Sequence, residues 1–417
     1  MPGTGNRTYD RKAGIRTVMK QIRDFKKITV TPKQEKSVRN GHPWIYEDEI
    51  TGADSGIENG SIVDVFGQKG NWLGSGFWSQ TSKIRVRLLS DNANETFGEA
   101  FFRRKVQYAV QYRRDVMQDD FEVCRLIHGE ADGLPGLTVD RYHNILVSEV
   151  ASCGTQKHID VIYDALREMI PGIEGIYERN ESPLRLKEGL PQYKGWYGDT
   201  HPDTCIFEIE ENGIRYEIDV ENGQKTGFFL DQKYNRLAAA KIARGRRVLD
   251  CCTHIGSFAL NAAKAGASYV CAMDISESAL ENARRNARHN GLQIDTVQGD
   301  VFEVLPQMIE DHARFDMIIL DPPAFTKSRK TFANARNGYR RINRDAMRLL
   351  KRGGYLATCS CSHFMPKEEF IRMICDAAKD AGVSVRIIEQ RGAAPDHPVL
   401  PAVPETEYLK FVLLQII

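Results

Sequence analysis

From about residue 236 this 417-residue chain reads as an α/β domain, a parallel sheet with helices on both faces, preceded by a small β-rich unit and a central α+β segment. Three observations predict this. Strand and helix patterns alternate strictly through the C-terminal part. Residues 28–90 break into short β-rich runs separated by Gly, Asn and Ser. Four successive strands after 236 end in an acid, at the edge where such sheets hold their ligands.

Residues 1–27 carry eight basic side chains against Asp10 and Asp24, and Ile15, Val18, Met19, Ile22 and Phe25 recur at helical spacing. A basic extension is expected there, as an amphipathic helix or a solvated tail. Next, ITVTP, SIVDVFG, NWLGSGFW and IRVRLL predict a small barrel or sandwich over 28–97. A central domain over 98–222 opens with an amphipathic helix at 98–118. Strands on either side of a turn at His143-Asn144, a helix near 155–169 and strands near 174–178 and 206–220 complete it. The last domain, 223–417, contains RRVLDCC as a strand, SFALNAAKAG as a helix, YVCAMDI as a strand and SESALENARRNARHNG as a helix closed by Gly291. QIDTVQG, VFEVLPQMIEDH, FDMIILD, NRDAMRLLKRGG and YLATCSCS continue the alternation.

The composition, 41% hydrophobic and 27% charged, excludes a wholly disordered or fibrous chain. With 57 Lys and Arg against 56 Asp and Glu the chain is not a polycation. No window approaches 18 apolar residues, and the amino terminus lacks the apolar core of a secretory signal. Nine cysteines without a C-x-x-C pair point to free thiols in a reducing cytoplasm and to no metal site.

The strand-end acids are Asp250, Asp274, Asp300 and Asp321. Any one could be a helix cap. Together they suit a cationic, hydroxyl-rich, amine-bearing ligand better than a phosphate. S-adenosylmethionine has a sulfonium, an ammonium, a ribose diol and an adenine amine. The loop after Asp250 holds Thr253, Gly256 and Phe258, with one glycine where a dinucleotide fingerprint has three. No G-x-S-x-G elbow, Walker loop or G-x-G-x-x-G is present. His128, His254 and His363 lack a partner at ligand spacing and read as structural.

The fifth strand ends in Thr358-Cys359-Ser360-Cys361-Ser362, beside Asp321 if the strands are neighbours. A cysteine there suits one reaction, methylation at C5 of a pyrimidine. Cytosine C5 is too weak a nucleophile for a sulfonium methyl until a thiolate adds to C6. Cys251, Cys252 and Cys359 read as packing residues. Residues 325–352 carry ten basic side chains against the single acid Asp345, interleaved with Phe325, Phe332 and Tyr339. Phosphate neutralisation plus stacking is how splayed-out nucleotides are held.

HPW (42–44), GEADGLPGLTVDRY (129–142), GQKTGFFLDQKYNR (223–236), DPPAF (321–325), SCS (360–362), DHPV (396–399) and EYLK (407–410) resemble the RlmI-type large-subunit rRNA cytosine-5 methyltransferases, from about residue 28 to the end. The resemblance implies a PUA-like RNA-binding domain, a central domain and a class I (Rossmann-like) methyltransferase domain with a seven-stranded, mainly parallel sheet. It implies 5-methylcytosine formation in 23S rRNA through a covalent Cys–C6 adduct, with S-adenosylmethionine as methyl donor, ribosomal RNA as partner and neither membrane nor metal. Cys361 would be the nucleophile and Asp321 would hold the cytosine N3/N4 edge. Asp274 with Ile275 would hold the ribose side, Asp300 with Val301 the adenine, and Asp250, Thr253, Gly256 and Phe258 the loop against methionine. Pro322, Phe325, Lys327, Arg340 and Arg341 would face RNA. Ala324 stands where many RNA cytosine-5 methyltransferases carry a second cysteine, which leaves the base that removes H5 unnamed. Amino methylation of adenine or guanine is the rival chemistry. There the aromatic follows the second proline directly, and Cys361 has no role. A non-catalytic RNA-binding or assembly protein has no use for four acids.

Overall fold

The computed structural model describes residues 23–326 and 329–417, so the basic helix expected within 1–27 lies largely outside the described residues. The first unit is a six-stranded sheet drawn from residues 26–90. Its alternating apolar residues Ile28, Val30, Ile45, Val63, Val65, Leu73 and Val86 form a separate small core. A helix, Pro32–Arg39, starts where the Thr31 hydroxyl accepts from the Gln34 amide, with Pro32 at the first helical position.

The central unit joins the expected long helix, Glu99–Met117, to a five-stranded sheet that includes Leu137–Tyr142 and Ile145–Val150. His143 turns between these two strands with φ +56°. The helix expected near 155–169 is two, Cys153–Gln156 and Ile159–Met169, the Ser152 hydroxyl capping the first. A hairpin, Ile206–Glu211 and Ile214–Asp219, packs Ile209, Ile214, Tyr216 and Ile218 against both the central sheet and Ile255, Leu260 and Ala287 beyond it.

The C-terminal sheet has seven strands: β1 (Arg247–Cys251), β2 (Tyr269–Asp274), β3 (Asp295–Gln298), β4 (Phe315–Leu320), β5 (Leu350–Ser360), β6 (Val385–Arg391) and β7 (Lys410–Ile416). Their order is β3-β2-β1-β4-β5-β7-β6, all parallel except β7, which runs antiparallel to both neighbours. The expected seven-stranded, mainly parallel sheet is thus present. Helices α1 (Lys233–Ala243), α2 (Ser257–Lys264), α3 (Glu277–His289), α4 (Val301–Glu310), α5 (Phe332–Leu349) and α6 (Lys367–Ala381) cover it. Two cores sandwich the strands, one built on Leu249, Ile318, Leu320, Tyr339 and Phe370, the other on Val248, Phe258, Ile319, Cys359 and Leu413. Alternate residues of one strand serve opposite faces, so continuous apolar runs mark strands buried on both sides. Strand order reverses between β1 and β4, which opens a crevice at their carboxyl ends.

Candidate active site

Asp250, Asp274, Asp300 and Asp321 converge on that crevice but do different work. Asp250, at the tip of β1, is fully buried and braces the loop instead of facing a ligand. Its Oδ2 accepts from the Thr253 hydroxyl and from the Ala259 amide at 2.9 Å, while Oδ1 is buried without a partner. Burial pushes this carboxyl up to about 7, against the Thr253 and Ala259 bonds that favour its charge. Thr253, Phe258 and Val301 are likewise buried and support the loop from behind.

Asp274 is half-buried and fixed by two amides, His254 N to Oδ2 at 2.9 Å and Ser276 N to Oδ1 at 3.0 Å. Ile275 beside it is 67% exposed, an apolar surface at the crevice rim. Strand β3 ends at Gln298, two residues before Asp300, which caps α4 by accepting from Phe302 N at 2.8 Å. Gly256 adopts φ +87°, and a Cβ built there would stand 3.0 Å from that of Ala283 on α3. Only a glycine lets this turn close against the helix without strain. Cys252, read from sequence as a packing residue, is half-buried; burial and then Asp274, Asp321, Asp250 and Asp300 raise its thiol, so it lies among all four acids.

Strands β4 and β5 are neighbours in register, Leu320 opposite Thr358, which brings the DPP and SCS segments together. Cys361 Sγ lies 3.9 Å from the carbonyl oxygen of Pro322. Burial and the Asp321 carboxylate push this half-buried thiol up to about 11. Asp321 Oδ1 accepts from Gln232 Nε2 at 3.0 Å, and burial followed by Asp231 raises its carboxyl to about 6. Gln232 is held in turn by Asn235 at 2.6 Å. Asp231 bonds the Tyr408 hydroxyl at 2.6 Å and lies 3.5 Å from Lys225 Nζ. Burial would raise it, but Lys225 and its other partners hold it below the usual carboxylate range. The ammonium of Lys225 also lies over the Phe229 ring at 4.3 Å. Lys410 reaches the same loop, donating to the Ser362 carbonyl at 2.5 Å. Gln232, Asp231, Lys225, Tyr408 and Lys410 received no individual role from the sequence. Their signal was membership of the GQKTGFFLDQ and EYLK segments.

The residues expected to face RNA are dispersed. Pro322 is buried and Pro323 is the exposed proline of the pair. Phe325 packs between Phe302 and Tyr339, at 5.6 and 4.6 Å between ring centroids. Arg340 is engaged bidentately by Asp380 on α6, at 2.6 and 2.7 Å, and Arg341 donates to the Phe302 carbonyl at 2.9 Å. Lys327 lies outside the described residues.

The crevice suits the expected methyl donor on its own geometry. Asp274 and Asp300 offer carboxylates at the rim, Ile275 an apolar face, and the Gly256 turn a close backbone approach. An acid-rimmed crevice at the switch point of a β3-β2-β1-β4-β5-β7-β6 sheet defines a class I methyltransferase. In agreement, a family model for S-adenosylmethionine-dependent methyltransferases matches residues 195–414, and one for PUA-like domains matches 28–91. The chain is 40% identical over 394 residues to Ribosomal RNA large subunit methyltransferase I of Shewanella amazonensis, covering 94% of this chain and 99% of that protein. It is 41% identical over 393 residues to the protein of the same name from Aeromonas hydrophila, covering 93% and 98%. Among solved structures, a candidate S-adenosylmethionine-dependent methyltransferase from Streptococcus mutans shares the fold at TM-score 0.79 and 22% identity, covering 93% of this chain and 99% of the other. A candidate methyltransferase complexed with SAH matches at TM-score 0.80, 21% identity and the same coverage. The chain belongs to the ribosomal RNA large subunit methyltransferase I family.

Proposed function

We propose that this protein forms 5-methylcytosine in large-subunit ribosomal RNA, with Cys361 as the nucleophile. The observation that carries the reading is that adjacent strand ends bring the Cys361 thiol to 3.9 Å from the DPP carbonyl of Pro322, close enough to Asp321 for that carboxyl to act on the thiol. The relatives' shared name supports rRNA as substrate, and the PUA-like match over 28–91 supports a first domain that helps to seat it. All nine cysteines are free, in keeping with work in the cytoplasm.

Asp274, Asp300, Ile275 and the Gly256 turn would hold S-adenosylmethionine, which supplies an electrophilic methyl group when bound. Asp321, steadied by Gln232, would hold the N3/N4 edge of a flipped-out cytosine. The Cys361 thiolate adds to C6, which makes C5 enamine-like and nucleophilic. After methyl transfer a base removes H5, the C5=C6 double bond re-forms, and the thiolate leaves.

Transfer of labelled methyl groups to rRNA by wild type and Cys361→Ala tests this. The expected loss is at least about 10³-fold with S-adenosylmethionine affinity unchanged. Undiminished transfer would contradict the reading and favour amino methylation.

A further inference from the structure

Lys410 is 5% exposed, although lysine is among the residues least often buried without a charged partner. Among the described residues it makes no ion pair. Antiparallel register sets Lys410 directly opposite Ser360. From there its Nζ donates to the Ser362 carbonyl at 2.5 Å and to the Tyr408 carbonyl at 2.7 Å. The residue therefore grips the SCS turn on both sides of Cys361, by backbone at 360 and by side chain at 362. Two carbonyls use two N–H groups. A neutral amine then has its lone pair left over, and an ammonium has its third N–H left over.

Resting on the reading of Cys361 as nucleophile, we propose that Lys410 takes the thiol proton of Cys361 and stays beside the resulting thiolate as its counter-ion. The balance is simple. The Nζ lone pair accepts the Sγ proton, and the sulfur pair freed by this forms the S–C6 bond. At the end of the cycle that bond breaks, its electrons return to sulfur, and Nζ gives the proton back. The C5 proton goes to a separate base.

The surroundings make such a partner necessary. Burial, Asp321 and Asp231 all hold the thiol in its neutral form, against Lys225 and the backbone amide of Cys361 itself. Burial draws the Lys410 ammonium down to about 8, within reach of the neutral form near physiological pH, while the negative charge that Cys361 and Glu407 can carry favours the ammonium.

The test reads the thiol itself in full-length protein. Alkylation of Cys361 by iodoacetamide is followed by mass spectrometry of its peptide from pH 6 to 10, in wild type and Lys410→Met. The expected result is a fall of about tenfold or more in the Cys361 rate at pH 8, with the rise of rate with pH displaced upward by about one pH unit. In turnover kcat falls while KM for RNA holds, and the deficit narrows as pH rises. A Cys361 profile identical to wild type in a Lys410→Met protein that still binds S-adenosylmethionine overturns the proposal. Should that variant not fold, Cys361→Ser gives the reciprocal measurement, because its substitution lies at a half-exposed turn. In ¹³C-lysine-labelled protein the Lys410 midpoint is expected to fall when the thiol is removed, and coincident midpoints overturn the proposal. Methyl transfer that survives Cys361→Ser would instead overturn the nucleophile reading, whichever way the titrations come out.

Discussion

Asp250 and Asp321 cap adjacent strands, yet only one of them is open to the crevice. Asp250 has no exposed surface, accepts two bonds on Oδ2 and leaves Oδ1 buried without a partner. Burial raises its carboxyl from 3.8 to about 7, so between those values the folded state binds a proton that the unfolded chain has released. Its contribution to stability is therefore fully present below about pH 4 and declines as pH rises toward 7. For a shift of this size the total is of order 4 kcal/mol. Asp250→Asn is expected to flatten that part of the stability–pH curve, measured by urea unfolding at pH 5 and pH 8. A variant whose two values differ as much as those of wild type would show that Asp250 does not titrate there.

Helix α5 shows how an element can mislead when its charges are counted without its neighbour. Ten basic residues near it suggested an RNA-binding face. In the fold, Arg336 meets Asp376 at 2.6 Å, Arg340 meets Asp380, and Arg344 meets Asp345. Two acids on α6 and one on α5 itself thus answer three of the ten charges. Exposed pairs of this kind contribute about 0–1 kcal/mol. Arg340→Ala is expected to leave the melting temperature almost unchanged and to change RNA affinity by less than about twofold, read by thermal unfolding and filter binding. A large loss of affinity with a steep salt dependence would return Arg340 to the RNA surface. The same contrast marks what was legible beforehand. The βα alternation and the strand-end positions of Asp274, Asp321 and Cys361 could be read locally, because a strand and the loop that follows it are adjacent in sequence. The partners of Arg340 and the packing of Phe325 depend on elements brought in from elsewhere in the chain. No local pattern encodes them.

Across the whole molecule, the segments that carried the resemblance meet in one buried network. Arg125 holds Asp140 through two bonds, at 2.7 and 2.9 Å, and its amide donates to Asp396 at 2.8 Å. The Thr226 hydroxyl donates to Asp140, the Ala394 amide to the Asp231 carbonyl, and Tyr408 to the Asp231 carboxylate. The central sheet thereby supports the segment that presents Gln232 to Asp321. Upstream, Trp44 Nε1 and Arg87 both donate to Glu130 at 2.8 Å, which ties the PUA-like unit to the same central sheet. Asp140→Asn leaves a buried guanidinium without its counter-charge, and the expected cost is about 3–5 kcal/mol by denaturant midpoint. A change below about 1 kcal/mol would mean that the pair is not structural.

The central claim is a covalent bond between Cys361 and a cytosine. It is tested most directly by incubating the wild-type protein with S-adenosylmethionine and rRNA containing 5-fluorocytidine, then sequencing the cross-linked peptide. Fluorine at C5 cannot leave as a proton does, so the adduct cannot resolve. The account predicts a denaturant-stable protein–RNA complex whose modified residue is Cys361 and which is absent from Cys361→Ala. Failure to trap any complex from a protein that methylates the unfluorinated RNA, or a cross-link at another residue, would contradict it.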